Sequence, residues 1–414
     1  MEKILVIIDG GADLPIREFN GKTPFEAAKT PNLDFFARNG KLGYMYPINE
    51  KIIPGSDNAL ISIFGNDSSC CKRGIFEAIG AGFKLKRGDL ALRANFGTIE
   101  NLETKKVIDR RAGRNLTLKE TELLAKTLNG KIKLPCKFEF KTTVQHRGVL
   151  VLRGGFSENI SNIDPEYDES GNKSERFKFS EPLDDEENSD YTSDIINNFV
   201  DQAFKILETH PVNIERKRKG FFPANMVFLR GGGVEIPLLK QYKTWMSINS
   251  MPLEIGIASL SGMKNFSFQY PELRGNKMIY ETLFEGLSKS INFAIKTIKK
   301  ENKYYNGCYV QLKEADVPGH DGKPFEKKKM LEIIDEKFFG FLRKFSKKKG
   351  LKIVVTCDHS TPCKLKMHSS DFVPVLVYDG NGKDGARFSE KDAKKGSLGK
   401  IYGKEFIEKT GLNK

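Results

Sequence analysis

Histidine is scarce in this chain, five residues in 414, and cysteine is little commoner at six. The cysteines, including the adjacent pair Cys70-Cys71, show no C-x-x-C spacing and no dense framework. That excludes a zinc ribbon and a disulfide-stapled fold, and leaves reduced thiols as the expectation. No apolar run approaches the roughly 20 residues of a membrane span. The opening Ile4-Leu5-Val6-Ile7-Ile8 meets Asp9 too early for a signal peptide. A cytoplasmic protein with no membrane partner is expected. There is no G-x-x-x-x-G-K-[ST] loop, and the glycines of Gly80-Ala81-Gly82 and Gly231-Gly232-Gly233 lack the dinucleotide spacing, so nucleotide binding has little local support.

Positive charge, by contrast, is plentiful: the net charge is +14 and the pI about 9.2. The lysines fall in short runs such as Lys327-Lys328-Lys329 and Lys347-Lys348-Lys349, which read as solvated helix faces. No RNA-recognition or zinc-finger signature accompanies them, so no nucleic-acid partner is expected; a basic field suits a small phosphorylated substrate instead. With 39% hydrophobic residues, the chain can fill the cores of two or three domains, and a homo-oligomer is compatible with it.

Three of the five histidines lie near the C-terminus beside aspartates: Asp316-x-x-x-His320, Asp358-His359 and His368. Imidazole nitrogens and carboxylate oxygens at such spacing suit two divalent ions, Mn, Mg, Co or Zn, held a few ångström apart. Short apolar strands at both ends of the chain, Lys3–Ile8, Cys308–Leu312, Lys352–Thr356 and Val373–Tyr378, predict an α/β fold with a mainly parallel sheet. Asp9, Asp316 and Asp358 each fall at or just past the carboxyl end of such a strand, the edge where open α/β sheets bind ligands.

The middle of the chain is different, with β-rich segments such as Gly148–Leu152 and Met226–Leu229 and a polar stretch, Ser157–Asp190, that reads as a long exposed loop. One α/β domain built from residues 1–85 and 236–414, carrying an inserted α+β domain over 86–235, is the simplest organisation. Pro54-Gly55-Ser56-Asp57-Asn58 precedes the apolar pattern Ala59, Leu60, Ile63, Phe64, which predicts a helix starting at or beside Ser56. A helix amino terminus favours anions, so Ser56 is a candidate phosphoryl acceptor.

In order along the chain stand Asp9-Gly10-Gly11-Ala12-Asp13, Lys22-Thr23-Pro24, Thr30-Pro31-Asn32 and Pro54-Gly55-Ser56-Asp57. Arg73-Gly74, Glu77-Ala78-Ile79-Gly80-Ala81-Gly82, Asn95-Phe96, Asp109-Arg110-Arg111-Ala112-Gly113-Arg114 and His146-Arg147-Gly148 follow. Gly319-His320-Asp321-Gly322, Asp358-His359-Ser360-Thr361-Pro362 and His368-Ser369 complete the set. The set resembles the archaeal-type cofactor-independent phosphoglycerate mutases of the alkaline phosphatase superfamily. The resemblance implies an alkaline-phosphatase-like core and interconversion of 3- and 2-phosphoglycerate through a phosphoserine at Ser56, without 2,3-bisphosphoglycerate. It implies one metal on Asp9, Ser56, Asp358 and His359 and another on Asp316, His320 and His368. Arg110, Arg111, Arg114, His146 and Arg147 become candidate substrate ligands, with Arg153, Asp164, Arg230 and Lys264 as weaker ones. Two stretches depart from the family pattern: the short Asn66–Lys72 after Gly65, and Phe372 where a proline is usual. Alternatives of the same chemistry are a phosphatase, a phosphodiesterase or a phosphopentomutase.

Overall fold

Thirteen strands are assigned in the computed structural model, which describes residues 1–69, 72–165, 175–271, 279–347 and 350–413. Cys70, Cys71, Lys348 and Lys349 lie outside the described residues. In chain order the strands are β1 (Lys3–Ile8), β2 (Lys41–Tyr46), β3 (Leu90–Ile99), β4 (Val107–Asp109), β5 (Lys137–Thr142), β6 (Arg147–Arg153), β7 (Met226–Gly233), β8 (Trp245–Ile248), β9 (Lys264–Phe266), β10 (Gly307–Leu312), β11 (Lys352–Thr356), β12 (Val373–Tyr378) and β13 (Gly399–Tyr402). Eight of them form one sheet in the order β13-β2-β12-β11-β1-β10-β8-β9. β1 lies between parallel neighbours β10 and β11 and is buried from Ile4 to Ile8. That burial explains its continuous apolar run, since a parallel sheet is covered on both faces.

Only β12 opposes its neighbours in this sheet, pairing antiparallel with both β11 and β2. Its amino end therefore meets the carboxyl ends of β1, β10 and β11. Asp9, Asp316 and Asp358 leave those three ends, and His368, a few residues before Val373, arrives at the same edge from the opposite direction.

The second sheet, β4-β3-β6-β5 with β7 on the free side of β3, is antiparallel. It buries Phe96, Phe140, Phe199 and Phe228 in an apolar cluster drawn from residues 90–229, separate from the main cluster drawn from 4–76 and 239–412. Residues 166–174 of the stretch Ser157–Asp190 lie outside the described residues, and the rest of it is not simply an exposed loop. Ile163, Asp164 and Phe177 are buried, and the helix Glu187–Glu208 begins inside it. Its acidic start suits a helix amino terminus, where negative charge is favoured, and its apolar positions Ile195, Ile196 and Phe199 face the core. No helix among the described residues is long and apolar enough to cross a membrane.

The helix Arg73–Gly80 joins the two halves. Ile75 and Ala78 pack on the back of the second sheet with Ala91, Val149 and Val151, while Phe76 enters the main core. Its glycines permit this. A Cβ on Gly74 would lie 2.0 Å from the Ala91 carbonyl oxygen, one on Gly80 1.8 Å from that of Pro252, and one on Gly256, in the helix Pro252–Leu260, 1.9 Å from that of Phe76. Backbone meets backbone, with no flexible side chain to give way. Gly256→Ala is expected to cost about 1–3 kcal/mol or more through overpacking, read as a lower urea midpoint at unchanged slope. An unshifted midpoint would mean the helices separate freely.

Candidate active site

Two groups of ligating side chains assemble at the sheet edge, Asp9 with Asp358 and His359, and Asp316 with His320 and His368. Within each, the ligand atoms lie within 4.8 Å of one another. Ser56 is the first residue of the helix Ser56–Ile63, capped by Gly55, and its hydroxyl lies 3.2 Å from His359 Nε2.

Second contacts orient every ring. Nδ1 of His320 meets the Lys366 carbonyl oxygen at 3.2 Å, Nδ1 of His368 that of Pro54 at 2.8 Å, and Nδ1 of His359 the Thr361 hydroxyl at 3.0 Å. A carbonyl can only accept, so in the neutral rings of His320 and His368 the proton sits on Nδ1 and both Nε2 atoms carry lone pairs. Yet these Nε2 atoms face each other at 3.2 Å. Two lone pairs in contact need a cation or an extra proton between them. Burial disfavours a charged His320, but Asp316 outweighs it and raises its pKa.

The other group makes the same demand by a different route. Asp9 and Asp358 are both fully buried, and burial together with the Asp9 charge pushes the Asp358 pKa well up. Gln311 Nε2 donates to both carboxylates, at 2.6 Å to Asp9 and 3.2 Å to Asp358, and Lys313 pairs with Asp9. Asp9 Oδ1 still has no hydrogen-bond partner. The donor set thus fits a divalent cation on each group, with neutral imidazole nitrogens and carboxylate oxygens pointing inward.

What holds the ligand loops together is a lysine the sequence placed wrongly. Lys327, expected on a solvated face with its two neighbours, is fully buried on the helix Pro324–Ile333, 2.9 Å from each of Ala12 O, Thr361 O and Asp13 Oδ2. It fastens the loop after β1 to the loop after β11. Gly10, at φ +56°, lets the first loop pass the site; a Cβ there would strike Asp316 Oδ1 at 2.5 Å.

Above the ligands a cavity of about 180 Å³ is lined by Ser56, Asp316, His320 and His368 from one side and by Arg73, Arg93, Arg111, Arg147 and Arg230 from the other. Burial and mutual repulsion hold the Arg93 and Arg111 guanidinium groups below their usual range, Arg111 down to about 10. So many guanidinium groups, one buried and the others half-buried, favour an anionic guest. Two buried carboxylates aim them: Glu77 lies 3.0 Å from Arg73 and 3.7 Å from Arg93, and Asp164 takes Arg110 at 2.6 Å and Arg230 at 3.4 Å. Asp164 is therefore an arginine holder with a fully buried side chain. Arg110 is spent on Asp164, and Arg114 reaches Asp321 at 3.2 Å, next to His320.

Not every expected residue comes to the cavity. Lys264 sits on the outer strand β9, exposed, and does not line it. Arg153 pairs with Asp89, and Glu139 lies 3.8 Å from it. His146 is buried, and burial with Arg147 and Arg111 nearby depresses its pKa well below the usual range; it lies behind the lining formed by Gln145 and Arg147. Reading the sequence noted Arg73 only within a motif, without a role, and missed Arg93, Lys313 and Glu314, whose carboxyl is raised to about 7, chiefly by burial. The signal available for Lys313 and Glu314 was their place between β10 and Asp316. Phe372, the departure from the family pattern, packs on Tyr44 with ring centroids 5.0 Å apart.

Known proteins resemble this chain along nearly its whole length. The family model described as 2,3-bisphosphoglycerate-independent phosphoglycerate mutase matches residues 37–213. Proteins of that name from Methanosphaera stadtmanae and Thermococcus gammatolerans are 36% and 37% identical, each alignment covering 98% of this chain and 96% or 95% of the relative. The chain belongs to this mutase family. It is accordingly an enzyme, an isomerase of the 2,3-bisphosphoglycerate-independent kind. Among solved structures, a protein from Pyrococcus horikoshii matches with a TM-score of 0.75 at 28% identity, covering 99% of this chain and 97% of that one. A cofactor-independent phosphoglycerate mutase from Thermoplasma acidophilum matches with a TM-score of 0.57 at 26% identity, over 99% and 98%. The α/β core with its mainly parallel sheet, expected from the sequence, is shared with these two structures.

Proposed function

We propose that this mutase interconverts 3-phosphoglycerate and 2-phosphoglycerate through a phosphoserine at Ser56, in glycolysis and gluconeogenesis, and needs no 2,3-bisphosphoglycerate. The observation that carries the reading is a serine hydroxyl at a helix amino terminus, facing two cation-demanding ligand groups across an arginine-lined cavity. Asp9, Ser56, Asp358 and His359 would hold one divalent ion and Asp316, His320 and His368 another. Such ions, Mn, Mg, Co or Zn, supply Lewis-acid stabilisation and lower the pKa of a nearby hydroxyl.

The residues then divide the work. Ser56 Oγ bonds to phosphorus as the bond to the substrate oxygen breaks, and the helix N–H groups meet the phosphoryl oxygens. Arg111, Arg147, Arg230 and Arg73 hold the carboxylate and hydroxyl end while glycerate turns. The phosphoryl group next passes from Ser56 to the other hydroxyl, leaving the serine free. Residues 86–235 act as an inserted lid on a discontinuous catalytic domain of residues 1–85 and 236–414, a division supported by the two apolar clusters. Closure keeps water from the phosphoserine, and that separates a mutase from a phosphatase.

The test is formation of 2-phosphoglycerate from 3-phosphoglycerate, coupled to enolase, with no 2,3-bisphosphoglycerate added. Release of inorganic phosphate without 2-phosphoglycerate would instead make the protein a phosphatase of the superfamily. Arg147→Ala should lower kcat/KM roughly 10- to 150-fold, the equivalent of one charge-assisted contact at about 1.5–3 kcal/mol. Normal kinetics with a lowered Tm would make Arg147 a structural group.

A further inference from the structure

The loop carrying Arg110, Arg111 and Arg114 has an unusual backbone. Ala112, Gly113 and Arg114 stand consecutively in the left-handed region, at φ 44°, 74° and 57°. Glycine accepts this freely, but alanine and arginine do not, so the conformation persists only if its surroundings impose it. From the front, Asp109 Oδ1 accepts the N–H groups of Arg111 at 2.7 Å and Gly113 at 3.0 Å.

From behind comes Arg216, on the helix Pro211–Arg218, a side chain almost wholly removed from solvent. Its guanidinium is a hub. Nη2 donates to the Ala112 carbonyl oxygen at 3.1 Å and to Asn115 Oδ1; Nη1 donates to Glu120 Oε1 at 3.1 Å; Nε donates to the Phe222 carbonyl oxygen at 2.8 Å. Glu120 is itself committed, closing the capping box of the helix Leu118–Lys131 with Thr117. One planar fork therefore ties the left-handed turn to the start of one helix and the end of another.

We infer that Arg216 is a positioning residue for the mutase reaction, clamping the 112–114 turn so that Arg111 enters the cavity and Arg114 reaches Asp321. Arg216 does not line the cavity. The inference rests on the proposed substrate role of Arg111. A lysine at 216 would keep the charge and most of the volume but lose the fixed fork, since an ammonium cannot hold four acceptors in one plane.

The experiment compares Arg216→Lys with wild type in two assays: steady-state mutase kinetics, and calorimetric binding of 3-phosphoglycerate to each protein in a Ser56→Ala background that cannot turn over. Expected are a KM and a Kd raised about tenfold or more, kcat at saturation lowered less than about threefold, and an unchanged far-UV spectrum. Asp109→Ala, which removes the acceptor of both N–H groups and so loosens the same turn from the other side, should give the same split between KM and kcat. In an Arg111→Ala background, Arg216→Lys should change the Kd less than about twofold, because the group it positions is gone. A Kd within twofold of the parent in both Arg216→Lys and Asp109→Ala overturns the inference. So does an Arg216→Lys effect that multiplies undiminished with Arg111→Ala, which would mark Arg216 as a general scaffold residue. If wild type makes no 2-phosphoglycerate at all, the proposed function fails instead, a distinguishable result. Should Arg216→Lys not fold, Asp109→Ala and its cycle with Arg111→Ala decide the matter.

Discussion

Ser56→Ala is expected to lower mutase activity by on the order of 10⁴-fold or more, since on the proposed route it removes the atom to which phosphorus bonds. The fold should barely notice. Ser56 begins its helix, but the cap position is Gly55, and the serine hydroxyl's one recorded partner is His359 Nε2. The loss of one hydroxyl-to-ring contact is worth about 1 kcal/mol of stability. Wild-type protein given labelled 3-phosphoglycerate and quenched in acid should carry label in the peptide containing Ser56. The variant should carry none, while keeping its fold, with an unfolding midpoint lowered by no more than that one contact accounts for. Label at another residue, or activity in the variant within tenfold of wild type, would remove Ser56 from the reaction.

How much of this could be read in the sequence depends on how locally each feature is encoded. The strand spans at Lys3–Ile8, Lys352–Thr356 and Val373–Tyr378 coincide with the observed ones because continuous apolar runs bounded by polar residues are a local signal. Asp9 and Asp358 were visible for the same reason, each coming at or just past the end of such a run, and Asp316 follows shortly after β10. His368 was not visible that way. It precedes its strand, and joins the site only because β12 runs against its neighbours, a fact of topology. Lys327 illustrates the opposite failure: three lysines in a row look solvated, yet one of them is fully buried because three oxygens from distant loops converge on it. Lys264 and Arg153 carried the right charge but stand on an outer strand and on a separate ion pair. Arg73 opens a helix and Arg93 lies within β3, and they share one buried carboxylate, Glu77, so only the assembled fold shows them as a group. Charge type is written in the chain; which charge is left without a partner is decided by packing.

Removing divalent ions should silence the enzyme completely and reversibly, and the geometry says how the two ligand groups will differ. Stripping with EDTA leaves Asp9 and Asp358 as adjacent buried carboxylates, with Asp9 Oδ1 unpartnered and the Asp358 pKa pushed up. It leaves His320 and His368 with opposed lone pairs. Both groups are strained without a cation, so a bound ion stabilises the native state as well as the reaction. At an ion concentration 100 times its Kd that linkage is worth about 2.7 kcal/mol per site, and Tm should fall on chelation and recover on adding Mn or Mg. Asp9→Asn should empty one group and His368→Ala the other, each cutting metal content towards one ion per chain and activity by on the order of 10²-fold or more. The Asp9 variant should lose less stability than a buried carboxylate usually costs, because the amide relieves the repulsion with Asp358 while keeping an acceptor for Gln311. Elemental analysis with two ions retained in both variants, or full turnover by stripped protein, would refute the two-ion arrangement.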